Sequence, residues 1–127
     1  MMTVHYLRLV TVDGVRIGPD YSELDLFAQE QARGSARLHR EEVASEKAYW
    51  FDIIAASPKC AEADLMLASF EYGVAMHLQA AELLERVYTF DQFTKELREE
   101  ASNLRNEAAR GFMQAHKMMS RIMKSAA

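Results

Sequence analysis

The sequence predicts a mainly α-helical single domain, in which a bundle of three long helices follows an N-terminal β-hairpin. One long segment is apolar around more than half of its helical circumference, a second has an apolar stripe at helical spacing, and the N-terminal residues alternate like a strand. We expect residues 1–18 to form the hairpin, 20–57 the first helix, 58–88 the central helix and 89–125 the third helix. A chain of 127 residues, 50% of them hydrophobic, is long enough to bury one core.

The hairpin prediction depends on the alternation from Thr3 to Val12 and on the turn signal Asp13-Gly14 that follows it. The return strand, Val15 to Ile17, is short, so the first arm keeps unpaired backbone groups. A two-stranded ribbon is marginal alone in water, and a bare strand edge favours strand addition. We expect this arm either to pair with a second copy or another protein, or to lie on the bundle. The side chains that would make this contact are Val4, Tyr6, Leu7 and Leu9.

The first helix has apolar residues at both ends and a polar middle. Between Gln29 and Glu42, Leu38 is the only large apolar side chain. The pair Gly34-Ser35 near the centre either breaks the helix or belongs to an exposed stretch of one long helix. Strong apolar character returns from Val43 onward, so we expect the second half to pack on the core.

The central helix is predicted to start with Ser57 as its N-cap and Pro58 in the first helical position. Its apolar arc spans about 200°, twice the width of an ordinary amphipathic stripe. Gly73 lowers helix propensity, which close packing of a neighbouring helix would compensate. So much apolar surface predicts a homodimer or a hetero-complex that covers it. One narrow strip is acidic, and it is either a solvated face or a site for a basic partner: Asp64, Glu71 and Glu82.

Thr89 and Gln92 form a capping box that predicts the start of the third helix. The connection from the central helix is then very short, which makes the two helices antiparallel neighbours. The third helix carries a stripe with a period close to 3.6: Phe90, Phe93, Leu97, Ala101, Leu104, Ala108, Phe112, Ala115, Met119 and Ile122.

The end of the third helix combines methionines with basic residues, and three interpretations stay open. It is a methionine-filled end of the bundle, a surface that binds a protein, or an amphipathic segment that contacts a membrane. As a protein-binding surface it would use Phe112, Met113, Met118, Met119 and Met123.

Candidate chemistry is sparse. Cys60, the only cysteine, is predicted at a helix start beside Lys59, and both features lower a thiol pKa. The alternative is that Cys60 is a small, partly buried residue at a helix start, without a chemical role. Neither His39 nor His77 has ligands at the spacings that a helical metal site needs. We therefore predict no metal site and no cofactor, a hydrogen-bonded His77 in the core, and a surface contact between His39 and Glu42.

Composition limits the possible functions. A net charge of −4 argues against nucleic acid as the main partner, because phosphate binding needs a basic surface. The lone cysteine fits a reducing compartment such as the cytoplasm. No apolar run is long enough to span a membrane, and no signal peptide is visible.

The sequence thus favours a non-enzymatic protein–protein interaction module: an adaptor, an inhibitor or anti-activator, or a chaperone-like regulator that occupies a partner's surface. One alternative is a small enzyme or cofactor-binding helical protein that uses Cys60. The other is a nucleic-acid-binding regulator that uses Arg33, Arg37 and Arg40, although acidic residues follow those arginines directly.

Overall fold

The computed structural model describes residues 8–12, 15–20 and 22–126. Its three helices are α1, Ser22–Ala55; α2, Ala61–Glu85; and α3, Lys95–Ala126. The predicted mainly helical class is therefore confirmed. No helix among the described residues combines the length and the apolar character that crossing a lipid bilayer requires.

Two short strands, β1 (Arg8–Val12) and β2 (Val15–Asp20), pair antiparallel with a register irregularity between Val10 and Thr11. Residues 1–7 and 13–14 lie outside the described residues. The hairpin as a whole therefore stays a prediction. So does its proposed contact surface, Val4, Tyr6, Leu7 and Leu9.

Helix α1 is continuous through Gly34, so the predicted alternative of a break at that position is wrong. A Cβ atom at Gly34 would have no neighbour within 4 Å, which places this residue on an open face. The middle of α1 is nevertheless not exposed all round. Ala28, Ala32 and Ala36 are fully buried and form the face that packs on α2.

The boundary between α1 and α2 differs from the prediction. The Ser57 hydroxyl donates a 2.7 Å hydrogen bond to the carbonyl of Ile53, so this serine completes the end of α1 instead of capping α2. Pro58 follows directly, as prolines often do after a helix end. Helix α2 begins at Ala61, three residues after the predicted start, with Cys60 as its extended N-cap residue.

The capping signal at Thr89 and Gln92 is present, but it closes a single turn of 3₁₀ helix, Phe90–Gln92, and not the start of α3. The Gln92 side-chain oxygen accepts hydrogen bonds from the backbone N–H groups of Tyr88 and Thr89, at 2.7 and 3.1 Å. Helix α3 starts at Lys95. Its cap is Thr94, whose hydroxyl oxygen accepts a 3.1 Å hydrogen bond from the N–H of Leu97.

The first turns of α1 extend beyond the end of α2 and hold the connection between α2 and α3. The Asp25 carboxylate accepts a 2.8 Å hydrogen bond from the Phe90 N–H, and the Gln29 amide donates one of 2.6 Å to the Tyr88 carbonyl. The excess length of α1 therefore stabilises the connection.

Helix α2 is the centre of the bundle, and α1 and α3 pack antiparallel to it on two sides. One cluster near the α2–α3 connection joins the α1 alanines to Leu84 and Ala101, and a second at the other end joins Trp50 to Met66 and Met118. Every member of the predicted α3 stripe is buried or half-buried, which confirms that stripe.

Helices α2 and α3 cross with almost no space between their backbones. A Cβ atom added at Gly111 would lie 2.8 Å from the Ser69 carbonyl oxygen and 2.9 Å from the Gly73 nitrogen. One added at Gly73 would lie 2.7 Å from the ring of Phe112. The close packing predicted at Gly73 is therefore confirmed.

The outer face of α2 is not covered by the rest of the described chain. Leu65, Leu67 and Tyr72 are between 38% and 45% exposed, and the acidic strip Asp64, Glu71 and Glu82 is exposed beside them. The expected covering by a homodimer or hetero-complex stays a prediction.

Candidate functional site

An open groove of about 1350 Å³ lies between α1 and α3. Its floor is formed by His77 and Leu84 of α2, because both outer helices pack on α2 and diverge from each other above it. The groove walls meet near the α1–α2 connection, where the rings of Trp50 and His116 lie 4.7 Å apart.

The groove is long enough to receive an α-helix. Its lining runs along α1 from Phe27 to Glu46, which corresponds to about 28 Å or roughly five turns at 1.5 Å per residue.

The groove wall is apolar at one end and along its rim. Phe27, Phe90 and Phe93 line the end near the α2–α3 connection. Leu38 on the α1 rim and Met113 on the α3 rim are 66% and 70% exposed.

The α1 wall and the α3 wall of the groove carry opposite charges. Glu41, Glu42 and Glu46 lie on the α1 wall, whereas Arg98 and Arg105 lie on the α3 wall. An incoming segment with basic residues along one edge and acidic residues along the other would match this arrangement in one orientation only.

A pair of histidines lies at the centre of the floor. The Nδ1 atoms of His39 and His77 are 2.8 Å apart, and the two residues are 8% and 6% exposed. The ring of His77 also stacks on that of Phe112, with 5.9 Å between their centroids. The predicted hydrogen-bonded core His77 is confirmed, whereas His39 is not the surface residue that the sequence suggested.

Burial is the main reason that the pKa of both histidines is lowered. For His39 the charges of His77 and Arg105 add to this effect. For His77 the Glu42 carboxylate acts in the opposite direction, and Arg105 again lowers the pKa. Both imidazoles are therefore neutral at pH 7.

The hydrogen bond between the two neutral rings fixes their tautomers as opposite. One Nδ1 donates and the other accepts. The donating ring therefore has a lone pair on Nε2, and the accepting ring has its single N–H hydrogen on Nε2. No fully buried side-chain nitrogen of the described residues lacks a partner, and neither Nε2 has a hydrogen-bond partner among those residues. Both Nε2 atoms therefore reach the open groove and present one donor and one acceptor.

A buried hydrogen bond supports the α1 wall beside the histidines. The indole N–H of the fully buried Trp50 donates to the Glu46 carboxylate at 3.0 Å. Burial raises the pKa of Glu46, and the Trp50 hydrogen bond partly offsets this rise.

The predicted methionine surface is only partly available. Met113 and Met123 are exposed, and Met113 lines the groove. Phe112 and Met118 are buried against α2, and Met119 is half-buried, because these three residues lie on the inner stripe of α3. Met118 is only 2% exposed and is therefore not available to a partner, whereas Phe112 lines the groove and its role as a partner contact stays a prediction.

The residues of the two alternative predictions lie away from the groove. Cys60 is half-buried at the α2 N-terminus, and its side chain makes no capping hydrogen bond. Arg40 forms two hydrogen bonds to Glu85, at 2.7 and 2.8 Å, and the Arg33 guanidinium lies 5.5 Å from the centre of the Tyr88 ring. Arg37 is exposed.

Residue spacing could have revealed the histidine pair. His39 lies sixteen residues before the end of α1, and His77 lies sixteen residues after the start of α2. Antiparallel neighbours joined by a short connection bring such positions to the same level. The groove itself has no comparable sequence signal, because it depends on how far α1 and α3 diverge.

Across the described ranges, no three His, Cys, Asp or Glu side chains are placed to hold a metal ion together. No protein family model matches this sequence, and no curated protein or solved structure is significantly similar to it.

Proposed function

We propose that this protein is a non-enzymatic protein–protein interaction module that binds an amphipathic helix of a different protein in the groove between α1 and α3. An adaptor, an inhibitor or anti-activator, and a chaperone-like regulator all act in this way. The groove is the single observation that carries the proposal. It is long enough for a helix of about five turns, and it has an apolar end and walls of opposite charge.

Helix-in-groove recognition obtains its free energy from apolar side chains that become covered. Leu38 on α1 and Met113 on α3 both line the groove and are about two-thirds exposed. Full burial of such a side chain contributes about 1.5–3 kcal/mol, so covering these two would contribute roughly 3 kcal/mol. Phe27, Phe90 and Phe93 would add to this at the apolar end.

The charges on the walls would select the orientation of the bound helix. Basic residues on one edge would lie beside Glu41 and Glu42, and acidic residues on the other beside Arg98. A second copy of this chain is a less suitable occupant, because a groove facing a groove leaves both unfilled. The N-terminal hairpin would serve as a further contact if its first arm adds to a partner's sheet.

The two alternatives have weaker support. Cys60 does not line the groove, so an enzyme built on this thiol would not use the groove between α1 and α3. Arg33 contacts the Tyr88 ring and Arg40 pairs with Glu85, so two of the three guanidinium groups of the proposed nucleic-acid surface already have partners among the described residues.

A displayed library of 18-residue amphipathic helices tests the proposal without knowledge of the natural partner. Binders would be selected on the wild-type protein and on two variants, in each of which one exposed alanine is replaced by tryptophan. Ala109→Trp fills the groove, whereas Ala75→Trp places the same side chain on the outer face of α2. Circular dichroism would show whether each variant folds.

We expect binders to wild type and to Ala75→Trp with micromolar or tighter dissociation constants, and a loss of at least tenfold in affinity for Ala109→Trp. A library that yields no binders, or binders that Ala109→Trp retains, would show that the groove is not a helix-binding site. Self-association of wild type that Ala109→Trp abolishes would instead identify a second copy as the occupant.

A further inference from the structure

We propose that the helix bound in the groove carries an aspartate or glutamate in its middle turns, and that Arg105 and the His39–His77 pair receive this carboxylate. The inference rests on the proposed function, and it adds the chemistry that fixes the register of the bound helix. A carboxylate on the otherwise apolar face of a helix is costly unless its partner is in place.

Arg105 is the first part of this receptor. It lies on the α3 wall at the level of the histidines, close enough for its charge to act on both imidazoles. No ion pair joins Arg105 to a carboxylate within residues 22–126. The Arg105 guanidinium therefore lines the groove with N–H donors that no carboxylate of residues 22–126 pairs with. A carboxylate of the bound helix can accept two hydrogen bonds from it.

The histidine pair is the second part. At neutral pH one Nε2 is an N–H donor and the other is an acceptor, as the Nδ1–Nδ1 hydrogen bond requires. One proton added to the pair would convert the acceptor to a second donor and give the pair a positive charge. A bound carboxylate would stabilise that protonated form.

The charged groups around the pair determine where the carboxylate lies. Glu42 and Glu46 of α1 are negative, Arg105 of α3 is positive, and His116 of α3 lies at the closed end. Of the α2 residues in the groove, only His77 titrates. The incoming carboxylate is therefore repelled from the α1 side and attracted to the α3 side, between Arg105 and the imidazoles.

This arrangement couples binding to proton uptake. A helix with the carboxylate should bind more tightly as the pH falls from 8 to 6, because the complex stabilises the extra proton on the histidine pair. If the carboxylate raises the pKa of the pair by one unit, the increase in affinity has a limit of about tenfold, and only part of it is reached at pH 6 because the pKa of the free pair is lowered. A helix with glutamine in the same position should lack this dependence.

The test uses the same library, with selections on wild type, Arg105→Gln and Arg121→Gln. Arg121 is exposed on α3 and does not line the groove, so its substitution controls for the loss of one positive charge. Selected pools would be sequenced, and one peptide would be compared with its Glu→Gln counterpart by fluorescence anisotropy at pH 6 and pH 8.

We expect wild type and Arg121→Gln to enrich an acidic residue at one fixed position of the apolar face, and Arg105→Gln to lose that enrichment. Enriched binders without a fixed acidic position, or with one that Arg105→Gln retains, would overturn the carboxylate receptor but leave the proposed function standing. The same holds for binding of the glutamate peptide that does not change between pH 6 and pH 8. No enriched binders at all would overturn the proposed function, and this inference with it.

Discussion

Replacement of Gly111 by alanine tests the close crossing of α2 and α3. Alanine at an exposed helix position is favoured over glycine by about 1 kcal/mol. At position 111, however, the added Cβ would lie 2.8 Å from the Ser69 carbonyl oxygen and 2.9 Å from the Gly73 nitrogen. Both are backbone atoms, which cannot rotate away, so the two helices would have to separate.

The magnitude follows from the balance of the two effects. Overpacking in a well-packed core costs about 1–3 kcal/mol, and clashes with backbone belong near the upper end of that range. After the gain in helix propensity, we expect Gly111→Ala to lower the free energy of unfolding by about 2 kcal/mol. Gly34→Ala is the matched control, because its Cβ meets nothing within 4 Å. It should raise that free energy by up to about 1 kcal/mol.

Urea unfolding followed by circular dichroism at 222 nm would measure both variants against wild type at pH 7. A stability difference of about 3 kcal/mol between the two alanine variants is the expected result, from the propensity and packing terms together. If Gly111→Ala is as stable as Gly34→Ala, α2 and α3 do not cross at the described distance, and the close backbone contact at Gly111 is refuted. Gly73→Ala should fall between them, because the Phe112 ring that it meets can rotate.

Two further predictions concern the groove. Glu46→Ala should lower the free energy of unfolding by about 1–3 kcal/mol, because it leaves the buried Trp50 N–H without an acceptor, whereas Glu46→Gln keeps an acceptor and should cost little at pH 7. Equal losses in the two variants, measured by tryptophan fluorescence in urea, would exclude this hydrogen bond as the cause. The lowered pKa of His39 and His77 means that the unfolded chain binds protons that the folded chain does not, so stability should fall as the pH drops below the ordinary histidine value of 6.5. His77→Gln should have a shallower slope between pH 7.5 and 5.5, and an unchanged slope would contradict the assignment.

Large apolar side chains at regular spacing made the α3 stripe predictable, and Gly73 indicated the close approach of a neighbouring helix. The packing face of α1 was missed because it consists of alanines. Ala28, Ala32 and Ala36 are buried here, but alanine occurs equally well on exposed helix surfaces. Alanines four residues apart therefore do not by themselves indicate a buried helix face. A larger apolar residue on the same face, such as Val43, does.

The helix boundaries were missed for a related reason. The hydroxyl groups of Ser57 and Thr89 can each form a hydrogen bond either with the preceding helix or with the segment that follows. Which of the two bonds forms depends on the backbone path. To predict the histidine pair from the sequence, one must know that α1 and α2 are antiparallel and that His39 and His77 lie at the same level along them. The groove required more than that, because the angle between α1 and α3 is set by side-chain volumes along both contacts with α2.

The two hydrogen bonds from the start of α1 to the connection at Tyr88 and Phe90 have a consequence for biosynthesis. They join residues 59 and 65 positions apart, so a ribosome that adds about 5–20 residues per second needs roughly 3 to 13 s to supply the second partner. During that time the stretch of nascent α1 from Ala28 to Ala36 presents methyl groups in place of bulky side chains on its packing face. This stretch therefore exposes less apolar area to neighbouring nascent chains than the same face would with larger residues.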